Sequence, residues 1–442
     1  MHAIAERVEI VNPAINALCT LDIEQALSRA REIDESRPTS SEAGPLLGVP
    51  VSIKDLTETA GLLTTYGARE HSRNIPRHDA EVVKRIREAG AVIFAKSNTP
   101  EWGVGINTRN HVFGQTRNPW RVDRSAGGSS GGAAAAVASG LGPLAEATDH
   151  GCSIRLPSSF NGVVGLRPTA GRVPKWPNGW VYDPYAVTGP MARSVEDCEL
   201  LLRVMSGPDR RVPPSDVPLY RSPDFSQWPD LANWKIGWSP DLGIAPVDTD
   251  VLDVCTGAVK AFEDAGVRVD TVAPGFDGIR EIINPLRAVR QVAQEQAKQE
   301  STTNELVLDF LRAAPEFSAV DVGRAEAARS HLWQRMASFF DNHDFLVTVS
   351  TQTAAFPIAD PFPKTISGQR IEDTIEACLT CYAITMTGLP AISVPAGLTK
   401  DGLPVGLQIV GPRFSEASVL MAAKVLQTLR PWSHLRPAVD AT

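Results

Sequence analysis

Gly127-Gly128-Ser129-Ser130-Gly131-Gly132 and Thr148-Asp149-His150-Gly151-Cys152-Ser153-Ile154-Arg155 place serines in two different glycine-rich settings within one stretch of the chain. Upstream, Gly48-Val49-Pro50-Val51-Ser52-Ile53-Lys54-Asp55 carries an apolar, strand-like run that ends on a lone lysine. Together the three segments hold what acyl transfer needs without a histidine: a nucleophilic hydroxyl, a second hydroxyl to pass its proton, and an amine to receive it.

Between the two serine segments, Ala133-Ala134-Ala135-Ala136-Val137-Ala138 predicts a small-residue helix able to pack closely against its neighbours. Its N-terminus falls just after Ser129 and Ser130, so its backbone N–H groups and the positive end of its dipole are expected to face the site. Helix and strand signals alternate on either side. Residues 24–34 read as a helix, and a polar Ser/Pro/Thr loop leads from it into the Lys54 run. Asp79 opens a helical pattern stopped by Gly90, and Ala91-Val92-Ile93-Phe94-Ala95 reads as a buried strand. Ser194-Val195-Glu196-Asp197 begins another helix with a capping-box pattern, and the Pro-, Asp- and Arg-rich residues 206–223 read as a boundary or surface excursion. Beyond them come a strand at 235–238, a helix over 249–265, a strand over 267–272 and a helix-rich region up to about 340. Strands at 345–349, 391–394 and 405–410 and a helix over 415–429 close the chain. This order predicts a layered α/β fold.

Gly127-Gly128-Ser129-Ser130-Gly131 satisfies G-x-S-x-G, but a nucleophile elbow needs an apolar strand immediately before it, and residues 118–126 are polar and contain Pro119. Neither G-x-G-x-x-G nor a Walker lysine is present. Taken alone, the glycine loop reads as a tight turn whose serines cap the next helix. The conjunction of all three segments is what points to chemistry.

That conjunction resembles the amidase signature hydrolases. Gly-Gly-Ser-Ser-Gly-Gly is followed by Thr-Asp-x-Gly-x-Ser-Ile-Arg, Ser153 lies 24 residues after Ser129, and Ser129 lies 75 after Lys54. The likeness extends to Lys96-Ser97-Asn98-Thr99-Pro100-Glu101, Thr116-Arg117-Asn118-Pro119-Trp120, Gly162-Val163-Val164-Gly165-Leu166-Arg167-Pro168-Thr169 and the blocks at 387–393 and 406–411. It covers nearly the whole chain and is weakest from about 208 to 340. The resemblance implies a single 442-residue domain with a large central mixed β-sheet covered on both faces by helices, the 208–340 region being a variable, helix-rich part of the substrate pocket. It also implies helical residues ahead of Met1 in relatives, so Met1 reads as the start of a short form or as a truncated start.

Carried over by position, the resemblance makes Ser153 the nucleophile, Ser129 the bridging serine on a cis peptide bond, and Lys54 the base, acting as a neutral amine. Backbone N–H groups of His150, Gly151, Cys152 and Ser153 would form the oxyanion hole, with Ser130, Thr148, Asp149 and Arg155 as supporting groups behind it. Two positions depart from the family pattern. Cys152 replaces a glycine, so either the backbone tolerates an L-residue there or the hole is reshaped. His150 adds polarity at a variable position; a side chain hydrogen-bonded away from the chemistry is preferred over a pocket wall. Lys96 is a rival base, for which a structural or solvent-exposed role is preferred. Trp102, Trp176 and Trp180 are candidate pocket walls or plain packing.

The expected activity is hydrolysis of a carbonyl–nitrogen bond, in an amide or a carbamate, with ester cleavage on the side. One rival is the glutamine-hydrolysing subunit of a tRNA-dependent amidotransferase, which usually carries glutamine where this chain has Leu156; leucine there favours an apolar substrate pocket. A second is a binding protein that keeps the fold and has lost activity, with Cys152 as the suspicious residue. A net charge of −8 with scattered Lys and Arg argues against a nucleic-acid-binding face, and no apolar stretch approaches a membrane span or a secretion signal. A cytoplasmic monomer or homodimer acting on a small molecule with an apolar part is expected. The eight histidines form no metal motif, and Cys378-Leu379-Thr380-Cys381 reads as two thiols on an apolar helix face, so neither metal nor cofactor is expected.

Overall fold

A computed structural model describes residues 1–36, 43–295 and 316–437, with the single positions 308 and 439. The strands begin with β1 (Leu18–Leu21), β2 (Pro50–Lys54) and β3 (Val92–Ser97). A short ribbon of β4 (Arg109–Asn110) and β5 (Gly114–Gln115) stands apart. Next come β6 (Leu144–Asp149), β7 (Val164–Arg167), β8 (Val187–Ala192), β9 (Lys235–Trp238), β10 (Arg268–Thr271) and β11 (Phe345–Val349). A second ribbon, β12 (Thr365–Ile366) with β13 (Gln369–Arg370), precedes β14 (Ala391–Leu398) and β15 (Pro404–Val410). Eleven strands join in one sheet, in the order β1-β3-β2-β6-β8-β7-β14-β15-β11-β9-β10. The sheet is mixed: β2 runs parallel to β3 and β6, whereas β6–β8, β7–β14 and β14–β15 are antiparallel.

Both faces of the sheet are buried, because alternate residues of a strand point to opposite sides. In β11, Phe345, Val347 and Val349 join one apolar cluster with the helices Val195–Met205, Thr249–Asp264 and Glu416–Leu429. Leu346 between them joins a second cluster with the helices Ile279–Glu295, Ala319–Phe340 and Leu379–Thr387. Ile409 and Val410 of β15 divide in the same way. The chain thus adopts the expected mixed sheet with helices on both faces.

Most elements with a strong apolar period form where the sequence places them, including β9, β10, β11, β14, β15 and the helices Thr249–Asp264 and Glu416–Leu429. Four strands of the main sheet have no such signal. β6 reads Leu-Ala-Glu-Ala-Thr-Asp, and its polar side chains are buried only because partners elsewhere in the chain satisfy them. β1, β7 and β8 are short or interrupted by Gly and Pro. The polar loop expected before the Lys54 run lies largely at 37–42, and part of the helix-rich region at 296–315; both lie outside the described residues. Lys96 is not at the surface. It belongs to β3, is fully buried, and donates to Thr57 O at 2.5 Å, Thr59 Oγ1 at 2.8 Å and Thr64 Oγ1 at 3.1 Å, which rules out the solvent-exposed role.

The small-residue helix forms over Gly131–Ala138 and packs against the backbone beside β3. A Cβ on Gly132 would sit 2.3 Å from Asn98 N and 2.6 Å from Ala17 O, too close for any atom and against backbone that cannot swing aside. Gly132→Ala is therefore expected to lower stability by about 1–3 kcal/mol, read as a fall in the thermal midpoint. An unchanged midpoint would show that the helix is not held at this distance.

Candidate active site

Lys54 is the last residue of β2 and has a fully buried side chain. Its Nζ donates to Ser129 Oγ at 2.8 Å, Ser130 Oγ at 2.7 Å and Thr148 Oγ1 at 2.9 Å. β6 pairs in parallel with β2, which carries Thr148 to this amine, and the Gly128–Ser129 peptide is cis, as the resemblance implied. Ser130 is the residue before the helix Gly131–Ala138 but makes no side-chain capping bond; its hydroxyl instead donates to Thr148 O at 3.2 Å. The helix N–H groups do not face the site either. Gly131 N donates to Thr108 Oγ1 and Gly132 N to Asn98 O, because tight packing puts those acceptors over the helix end.

Among the described residues, no carboxylate touches the amine. Burial is the largest influence on it and lowers its pKa from 10.5 to about 7, against the opposing fields of Glu146 and Asp149. Glu146, two residues before Thr148 on the same side of β6, accepts from Lys54 N at 3.0 Å and Thr57 Oγ1 at 2.9 Å. It holds the strand end without pairing with the ammonium, and burial raises its own pKa. Sequence reasoning missed Glu146; a carboxylate inside a short Ala-rich segment was the available signal.

The loop that carries Ser153 hangs on Asp149. Arg155 meets its carboxylate through two bonds of 3.0 Å, and Arg167 adds one at 3.2 Å, all three side chains being fully buried. Burial opposes ionisation of Asp149, but the two guanidiniums outweigh it and hold the carboxyl at about 2. Asp149 Oδ2 also takes Ile154 N at 3.1 Å, while Arg155 reaches Gly151 O, Thr385 Oγ1, Cys381 O and Gln408 Oε1 at 2.7–2.8 Å. Arg167, Thr385 and Gln408 were not among the expected residues, since only the sheet brings them to this loop. Among the described residues, the backbone N–H groups of His150, Gly151, Cys152 and Ser153 donate to no protein acceptor. Cys152 does not have a positive φ, so its backbone tolerates an L-residue, and its Sγ lies 3.9 Å from Gly128 O.

Ser153 is half-buried, and its carbonyl accepts from Ser130 N at 3.2 Å, which sets the two serine loops side by side. Among the described residues its Oγ makes no hydrogen bond. Ser129 and Ser153 line the same cavity, of about 550 Å³, with Thr148 and the 150–152 segment. His150 is a wall of this cavity rather than a side chain turned away: Nδ1 is 3.2 Å from Tyr382 Oη, and the ring stands edge-on to Tyr382 and Tyr185. Burial and the nearby cations Arg290, Arg287, Arg167 and Lys175 keep it neutral. Gly151 is required because a Cβ there would lie 2.5 Å from the Tyr382 ring. Trp102 and Trp176 line the cavity and Trp180 does not. Leu156 is buried in the core behind Gly127, so it says nothing about the pocket; the apolar lining comes from Leu56, Val82, Ile106 and the two tryptophans. Of the two thiols at 378 and 381, only Cys378 lines the cavity, and it precedes the helix Leu379–Thr387 that contains Cys381.

Arg155→Met leaves the buried Asp149 carboxylate with Arg167 alone and is expected to cost about 3–5 kcal/mol of stability, measured from the denaturant midpoint. In the unaltered chain the stability contributed by Asp149 is complete above 3.8, its ordinary value, and is lost as the pH falls through about 2. A midpoint unmoved by Arg155→Met would mean that the loop is not anchored here.

A family model described as Amidase matches residues 1–420. An acylamidase of Rhodococcus erythropolis is 39% identical over 442 residues, covering 99% of this chain and 93% of the relative. A glutamyl-tRNA(Gln) amidotransferase subunit from Moorella thermoacetica is 33% identical, over 98% and 93% of the two chains. Among solved structures, a bacterial aryl acylamidase of the amidase signature enzymes superposes with a TM-score of 0.87 at 29% identity, covering 98% of this chain and 92% of that one. A 6-aminohexanoate cyclic dimer hydrolase superposes with a TM-score of 0.85 at 28% identity, covering 99% and 94%. The chain belongs to the amidase signature family and is a hydrolase of carbon–nitrogen bonds.

Proposed function

We propose that this chain is a serine amidase of the acylamidase type, working through an acyl-enzyme on Ser153 with Ser129 as proton relay and Lys54 as base. The observation that carries this reading is the buried Lys54 amine, 2.8 Å from Ser129 Oγ beside the Ser153 loop, with no carboxylate in contact. Ser130 commits its hydrogen to Thr148 O and so meets Lys54 as an acceptor. Ser129 Oγ has no partner but Lys54 among the described residues, which makes it the hydroxyl able to donate to the neutral amine and accept from Ser153. Rotation of the Ser153 hydroxyl toward Ser129 completes the relay.

In the first half-reaction Ser153 Oγ bonds to the substrate carbonyl carbon, its proton passes to Ser129, and the Ser129 proton passes to Lys54. The oxyanion is met by N–H groups from 150–153. Collapse breaks the carbon–nitrogen bond, and the proton returns by the same route to the leaving amine. Water then repeats the sequence on the acyl ester. Carbamates and esters fit the same steps, and the apolar walls suit an N-acyl or N-aryl substrate. The amidotransferase relative supports a second reading, glutamine hydrolysis within a larger complex; gel filtration with a glutaminase assay separates the two.

A fluorophosphonate probe is expected to label Ser153 and to fail on Ser153→Ala; a folded, unlabelled protein would instead favour a binding role. Lys54→Met is expected to lower kcat on an acyl anilide by about 10²–10⁴-fold. Because the neutral amine is the active form, kcat/KM should rise with pH up to about 7 and level off above it. A profile flat between pH 5 and 9 would remove Lys54 from the base role.

A further inference from the structure

The charge of the cavity does not follow that of the chain. The protein carries a net −8, yet among the described residues Lys175, Arg287 and Arg290 line the cavity against a single carboxylate, Glu58, which is engaged by Tyr66 Oη at 3.3 Å. Arg290 is balanced from behind, its Nε donating to Asp183 Oδ2 at 3.0 Å. Lys175 is half-buried and, among the described residues, has neither a hydrogen bond nor an ion pair. Among the described residues, His150 Nε2 is buried on the cavity wall without a hydrogen-bond partner. These groups lie within one another's fields: Arg290 and Asp183 act on Lys175, and Arg290, Arg287 and Lys175 act on His150. A half-buried ammonium with no direct ion-pair partner is only partly compensated for lost hydration, and a ligand anion would supply that partner.

Resting on the amidase reading above, we propose that the substrate is an anionic amide whose carboxylate is held by Lys175 and Arg290, with His150 Nε2 as a third polar contact. Trp102, Trp176 and Ile106 then cover the apolar part between the carboxylate and the scissile bond. A hydroxyl donating from Tyr382 to Nδ1 leaves the neutral imidazole with its N–H at Nε2, the tautomer that can donate to a carboxylate. An α-amino acid would bring an ammonium into the same cationic surroundings, so the proposal favours a half-amide of a dicarboxylic acid over glutamine.

The test is calorimetric titration of the Ser153→Ala variant with the anilide half-amides of succinate, glutarate and adipate and with their methyl esters. At least one acid should bind about tenfold or more tightly than its ester. In the same background Lys175→Met, or Lys175→Gln if the first does not fold, should remove that advantage, and Lys175→Arg should keep most of it. Esters that bind as well as the acids, or a preference that survives loss of Lys175, would overturn the proposal. Binding needs no turnover. Selective binding by a chain that hydrolyses nothing would therefore sink the catalytic reading alone, and turnover without charge selectivity would sink this one alone.

Discussion

A buried amine surrounded by hydroxyls is the constraint around which the site is built. An ammonium taken out of water and met only by Ser129, Ser130 and Thr148 loses most of its solvation, while Glu146 and Asp149 act on it from a distance. The balance puts Lys54 near its titration point at neutral pH. A direct carboxylate partner would have locked it as a cation, and exposure would have returned it to an ordinary lysine. The end of β2 must therefore be sealed on every side, and the hydroxyls of Ser129, Ser130 and Thr148 close over the amine itself.

The two-residue period of β6 distributes the remaining tasks. Glu146 and Thr148 face Lys54, one holding its backbone and the other its amine. Asp149, on the opposite side, takes Arg155 and Arg167 and through them ties the loop of Ser153 to the helix Leu379–Thr387 and to β15. One strand thereby sets the distance between the amine and the Ser153 loop, and a register slip of one residue would exchange the two sets. The N–H groups of 150–153 are left unclaimed because Asp149 and Arg155 satisfy the polar groups around them.

The cavity combines apolar walls with lining side chains that carry more positive than negative charge, in a chain whose overall charge is negative. This local reversal is assembled from distant segments: Lys175 from the loop between β7 and β8, and Arg287 and Arg290 from the helix Ile279–Glu295, within the region least recognisable by sequence. In the proposal above, residues of that kind set substrate choice and leave the bond-breaking apparatus alone.

Local pattern reached the helix Gly131–Ala138, the strand ending at Lys54, and the later strands, because apolar periodicity and a glycine loop are properties of contiguous residues. The serines and the lysine were legible for the same reason, as segments with a spacing. Lys96 shows where such reading stops: its burial among three threonine-derived acceptors depends on a loop some 30–40 residues away. β6 and Glu146, His150 as a wall, Leu156 as core, and Arg167 beneath Asp149 were likewise decided by contacts between strands remote in sequence. The sequence by itself determined which groups are available for chemistry and the alternation of helix and strand. Only the tertiary structure decided which of those groups lose water, since desolvation, and with it the protonation of Lys54 and the polarity of the cavity, is a property of everything packed around a residue.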